Sequence, residues 1–335
     1  MQPPLLRLVA PYLTPLDLLR CWVPAARSLR QLAEEAAPVV RVPAGELPAL
    51  RLADGMRIQV EGGVCDATLC VNRTCRLSGT GTIRSLRIVK SRGRLHVTGL
   101  TVNHVLVSRG SVHLRQCTVN CTFSHGIVGS RCRLRLTECT LQNARTAHYN
   151  GIFARRCEVW LRQCSFTQCF AGVCLEDCCV GTLVDLHLRR CREGVVLQRC
   201  GQVRVERCHM NDVSSGVQLI DCAQAVVEKC DIQVHLSCTA LLAQGSGAPS
   251  VRHCILGGKV VVLDGSHVML HDNVLERGLR ICRSNPCILD NRIQGPVVAD
   301  TFGGVLAHNV MPCHTPPTMQ RSLPSSSCYA NKSLA

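Results

Sequence analysis

"GVVLQRCGQVRVERCHM" occupies residues 194–210, and counterparts of it run along the chain: "GIVGSRCRLRLTECTL" at 126–141, "GIFARRCEVWLRQCSF" at 151–166 and "GVQLIDCAQAVVEKCDI" at 216–232. Each unit has a glycine, an apolar pair, a cysteine, an alternating apolar run and a second cysteine. The leading glycines Gly126, Gly151, Gly172, Gly194 and Gly216 set a step near 22 residues. A fixed period of this length marks a repeat array. The first cysteine recurs at Cys132, Cys157, Cys178, Cys200 and Cys222. The second is read at Cys117, Cys139, Cys164, Cys191, Cys208, Cys230 and Cys254, and its slot continues as Asn273, Asn291 and Asn309.

Between the two cysteines apolar residues alternate: Val112 and Leu114, Leu134 and Leu136, Val159 and Leu161, Val203 and Val205. Period two means a strand with one buried face. The residues between, His113, Arg135, Trp160 and Arg204, suit an outward face. Short strands in units of this length, with no helical periodicity inside a unit, predict a mainly β fold: a parallel β-helix of about twelve coils over residues 47–311. Stacked coils lie about 4.8 Å apart, so equivalent residues form ladders. Cysteine is a small, readily buried side chain, and stacked asparagines hydrogen-bond from layer to layer. Structural zinc sites show close cysteine pairs in two sets, whereas no CxxC occurs in this chain. The cysteines therefore read as frame, and no metal or cofactor is expected.

The formal charge is +15, with 38 Lys and Arg against 23 Asp and Glu. That surplus favours an acidic partner. Arg115, Arg135, Arg162, Arg189, Arg204 and Arg207 all fall near the second cysteine and are expected to form a basic stripe for an acidic or phosphorylated protein segment. Aromatic residues make up only 3% of the chain, against a stacking platform for single strands, and no nucleic-acid reading motif is present. The apolar N-terminus is broken by prolines and charges and lacks the h-region of a signal peptide. No stretch reaches the roughly 18 apolar residues of a membrane span. Residence in the cytoplasm or nucleus, with reduced thiols, is the expectation.

Glycan-cleaving sites need clustered carboxylates. Only Asp272 and Asp290 fall at adjacent repeats of the slot before the second cysteine. "SHG" at 124–126 resembles a Gly-His-Gly element of polygalacturonases without the acidic elements that accompany it. The expectation is a protein with no catalytic residues. From Pro312 the chain is rich in Pro and Ser, and 312–335 reads as a disordered tail.

Residues 1–36 do not share the repeat. Leu5, Leu8 and Leu13 recur at helical spacing, and Thr14 with Pro15 reads as a helix start. "LLRLVAPYLTPLDLLRC" at 5–21 resembles the first half of an F-box; the following "VPAARSLRQLA" departs from it, and Trp22 comes too early for the later tryptophan of that motif. Taken together, the two parts resemble F-box-only proteins that carry a right-handed parallel β-helix of pectate-lyase-like repeats. That resemblance implies a substrate-recruiting adaptor of a cullin-type ubiquitin ligase. Its Skp-type adaptor would dock on Leu5, Leu8, Leu13, Pro15, Leu16, Leu18 and Leu19. Those leucines could equally cap the β-helix. Two other readings stand beside it: a non-catalytic scaffold or host-interaction protein, similar to β-helical adenoviral proteins, and a pectin-lyase-like glycan binder.

Overall fold

The structure is a computed structural model, and it describes residues 39–42, 47–52, 57–61, 64–69, 74–89, 93–121, 124–142, 149–312, 318–320 and 329–334. The F-box-like segment, with Leu5, Leu8, Leu13, Pro15, Leu16, Leu18 and Leu19, lies outside the described residues. Every element among the described residues is a strand.

The strands stack into three faces. The first face holds Arg94–Thr98, Ser111–Arg115, Arg133–Thr137, Glu158–Arg162, Val180–Val184 and Gln202–Glu206, each paired in parallel with its successor. A second face stacks Thr118–Asn120, Thr140–Gln142, Ser165–Thr167 and His187–Arg189. The third stacks Val105–Ser108, Ile127–Ser130, Ile152–Arg155, Ala171–Glu176 and Glu193–Gln198. Alternation decides which way each residue points. Val112, Leu134, Val159 and Val203 are buried, while Arg133 and Arg135 on either side of Leu134 are exposed.

Ten turns separate the first-face strands Arg94–Thr98 and Val305–Pro312, against the about twelve coils that a constant step gives over 47–311. Pairing continues N-terminally through Cys75–Gly79, Arg57–Val60 and Val39–Val42, but the neighbouring third-face strands there show register shifts. At the other end, Thr318–Gln320 pairs with Val298–Asp300 and Tyr329–Leu334 pairs with the strand Val305–Pro312. These segments of the stretch read as a disordered tail therefore extend the stack. Backbone pairing with an open edge overrides their composition.

Turns between faces use left-handed backbone. Gln116, Glu138, Gln163, Asp185, Arg207, Lys229, His253, Asp272, Asp290 and His308 all have φ between 53° and 57° or close to it, the lowest being 50° at Arg207. None of these ten is β-branched, in keeping with the cost of that backbone for a branched Cβ, although Thr301 adopts it at 53°. The glycine ladder answers a different constraint. A Cβ at Gly151 would come within 2.7 Å of the Gly172 carbonyl oxygen, and one at Gly194 within 2.6 Å of that of Gly216.

The first cysteine slot forms an unbroken buried ladder, Cys132, Cys157, Cys178, Cys200 and Cys222. Proximity of the Cys157 thiol, 3.2 Å away, and burial push the Cys132 thiol up. The second slot needs one correction. Register places Leu186, not Cys191, between Cys164 and Cys208. Cys191 follows the second face instead, next to Cys169, which in turn neighbours Cys121. The turn before the third face is a separate corner with its own left-handed residues, Gln168, Arg190 and Asp212.

Candidate functional site

The first face carries its most varied chemistry on the coils from Arg94 to Arg162. Register aligns His96, His113, Arg135 and Trp160 in one outward column, with Thr182 and Arg204 beyond. The parallel column holds Thr98, Arg115, Thr137 and Arg162. The Arg135 guanidinium lies 5.6 Å from the Trp160 ring centroid, a cation–π contact worth about 0.5–1 kcal/mol when exposed. The His96 and His113 rings meet edge to face at 5.5 Å. Burial, then the Arg135 and Arg115 charges, hold the His113 imidazole below its usual value, so it is neutral near pH 7 and offers both a donor and an acceptor.

Arg133 Nε donates to Glu158 Oε2 at 2.9 Å and closes one side of a groove. Arg94, His96, Ser111, His113, Arg135 and Trp160 complete it, around a volume of about 180 Å³. That is below the several hundred Å³ of an enclosed small-molecule pocket. It suits one ring or one side chain of a ligand lying along the face. The coils supply the geometry, because strand pairing fixes each column and leaves only side-chain rotamers free.

The expected stripe of six arginines divides. Arg115, Arg135 and Arg162 share the first face. Arg204 shares it two coils beyond Trp160, tied to Glu206 and Glu228, each at 3.0 Å. Arg207 stands in the left-handed turn, bound to Asp185 at 2.7 Å and to Glu206. Arg189 is on the second face, in the column of Asn120, Gln142, Thr167 and Asn211. The reason is the same misplaced corner: Arg189 precedes Cys191, and Cys191 belongs to another ladder.

Two residues that the sequence pattern does not mark, Arg94 and Glu158, line the groove beside Arg133. Arg94, Arg133 and Glu158 open the first-face strands. Arg109, Arg131 and Arg156 occupy successive left-handed turns between the third and first faces. Arg131 and Arg156 directly precede Cys132 and Cys157, the first cysteines of successive repeats, and that shared position is the sequence signal that pairs them.

Among the described residues, the adjacent-repeat carboxylates Asp272 and Asp290 share one imidazole. His271 holds both Asp272, at 2.9 Å, and Asp290, at 3.3 Å. No group of three potential ligands arranged for a metal ion occurs among the described residues. The "SHG" element is built into a corner. Ser124 Oγ meets His104 Nδ1 at 2.9 Å, and the Asn150 backbone N–H donates to His125 Nδ1 at 2.9 Å. The His125 ring stacks on Phe153 at 5.6 Å, and burial, then His104, lower its pKa.

No curated protein matches the chain by sequence. Two solved structures share its fold, both substituted forms of the tailspike protein of E. coli bacteriophage HK620 in complex with pentasaccharide. Their TM-scores are 0.53 and 0.51 at 9% identity, over 92% of this chain and 74% of the tailspike chain. The family model described as right handed beta helix region matches residues 88–275. That span is more than half of the chain, and the chain belongs to the right-handed β-helix family.

Proposed function

We propose that the protein is a non-catalytic binding module that takes an oligosaccharide in the first-face groove. The observation that carries this reading is Trp160, half-buried in an otherwise polar column and backed by Arg135. A flat indole receives the C–H face of a sugar ring, and His113, Ser111, Arg133 and Glu158 around it supply donors and acceptors for hydroxyls. The pentasaccharide held by the similarly folded tailspike proteins supports the same ligand class. The His271 bridge between Asp272 and Asp290 supports binding without cleavage.

The test is a panel of immobilised oligosaccharides probed with wild type and Trp160→Ala. Captured sugars should be lost from the variant at least about ten-fold, while melting stays unchanged. Binding that survives in Trp160→Ala, or no capture from a broad panel, overturns the reading. Recruitment to a cullin ligase is a second reading, favoured by the stretch at 5–21 alone. It requires a Skp-type adaptor to co-purify with wild type and to be lost on Leu16→Ala with Leu19→Ala.

A further inference from the structure

At the edge between the third and first faces, three successive coils present Ser108 and Arg109, Ser130 and Arg131, Arg155 and Arg156. The six side chains line one pocket. The next coil shows how this slot is normally neutralised. There Asp177 is bound by Arg199 at 2.7 Å and by Arg155 at 3.2 Å, with Arg156 at 3.8 Å. Among the described residues, no carboxylate stands within salt-bridge reach of Arg109 or Arg131. The backbones of these turns lie about one strand spacing apart, so two positive charges are held on adjacent coils with no carboxylate in reach of either.

We propose that this turn pocket is a binding site for a phosphate monoester carried on a serine or threonine of an extended protein segment. A phosphate monoester brings close to two negative charges and three acceptor oxygens. Two uncompensated arginines and two serine hydroxyls match that charge and number of acceptors. A carboxylate brings one charge and two oxygens, and Asp177 already draws three arginines. Planar guanidinium groups engage phosphate with paired hydrogen bonds. A lipid surface fits less well. Among the described residues, the exposed large apolar side chains are Val39, Val180, Leu236, Ile255, Met269, Val298 and Val305, none of them on these three coils, so the described part of this edge offers no apolar anchor.

The pocket adjoins the sugar groove through Arg131, Arg133 and Arg156, so the experiment separates the two. Fluorescence anisotropy with the full chain would use a labelled pentapeptide, Ala-Gly-phosphoserine-Gly-Ala, and its unphosphorylated twin. The phosphopeptide should bind at least about ten-fold tighter than the twin. Inorganic phosphate should displace it. Arg109→Gln with Arg131→Gln should weaken it at least about ten-fold with melting unchanged, whereas Trp160→Ala should leave it intact. Equal binding of the two peptides overturns the inference, as does an unaffected double variant. It is overturned too if a sulfated oligosaccharide or phosphoinositide vesicles use Arg109 and Arg131 while the phosphopeptide does not. Failure of the sugar panel with success of the phosphopeptide would sink only the glycan reading.

Discussion

Between Cys117 and Cys254 the buried corner after the first face is filled mostly by cysteine; at 273, 291 and 309 the same corner is filled by asparagine. The two halves solve one problem in different ways. Cys139 Sγ reaches two carbonyls, Thr137 at 3.3 Å and Leu114 at 3.5 Å, with a single weak donor. Asn291 donates from Nδ2 to Leu270 at 2.9 Å, Leu289 at 2.8 Å and Asn309 Oδ1 at 3.0 Å. Its own Oδ1 accepts from the Asn273 backbone at 2.9 Å. At Cys230 the corresponding backbone N–H meets only the Cys254 sulfur at 3.5 Å. The asparagines are also 18 residues apart, while Cys117, Cys139 and Cys164 are 22 and 25 apart. The cysteine half rests on burial, and the asparagine half on hydrogen bonds.

The largest effect that could break this comparison is in thiol chemistry. Cys179 is exposed, whereas Cys139, Cys164, Cys208 and Cys230 are buried and free of disulfides. Labelling of the four in native protein should run at least about a thousand-fold slower than at Cys179, because it requires local opening costing several kcal/mol. Cys174, only half-buried, should also label slowly: burial, then Glu176 and Glu193, push its thiol up to about 12. Fast native labelling of the four, read by mass spectrometry, would remove burial as the basis of this half.

Next comes Asn291→Leu. It strands the buried Asn273 N–H and removes the amide donor from the Leu270 and Leu289 carbonyls, of which Leu289 keeps the Asp272 N–H at 3.3 Å. Unsatisfied buried groups cost about 1–3 kcal/mol each, so urea denaturation should show a loss of at least about 3 kcal/mol. A loss under about 1 kcal/mol would make the two ladders equivalent. Cys230→Ala sharpens the contrast from the other side. It deletes one buried sulfur and leaves carbonyls that already had weak donors. The expected cost is about 1–2 kcal/mol, and a larger loss than for Asn291→Leu would invert the assignment.

The smallest effect concerns the charged turns. Hydrogen bonding from Arg207 depresses the Asp185 pKa below its ordinary 3.8. A depressed folded value means the contribution is complete above the ordinary value and is lost as pH falls through the lower, folded one. Melting followed from pH 5 downward should therefore decline less steeply in Arg207→Gln than in wild type. Identical slopes would show that this turn pair contributes nothing.

Much of the fold was legible because a β-helix repeats in sequence what it repeats in space. Alternation at Val112 and Leu114 or Val203 and Val205 gave the buried face, and the steps of Cys132, Cys157, Cys178, Cys200 and Cys222 gave a true ladder. The failure at Cys191 was legible too. Its spacings of 27 and 17 residues from Cys164 and Cys208 break the step, and Leu186 divides the interval evenly. Cysteine identity outweighed spacing, although an aliphatic side chain fills a buried corner equally well.

The chain alone determined the repeat, the inward and outward alternation, and the nearness of Arg135 to Trp160, since both are set by local period and strand pairing. Only the tertiary structure decided which arginines act together. Turn length varies from coil to coil: Gln142 and Ile152 are ten positions apart, while their register partners Thr167 and Val173 are six apart. A charged residue counted from the nearest cysteine can therefore land on another face, as Arg189 does. Arg109, Arg131 and Arg156, distant in sequence and alike only in their left-handed backbone, converge because the coils stack them.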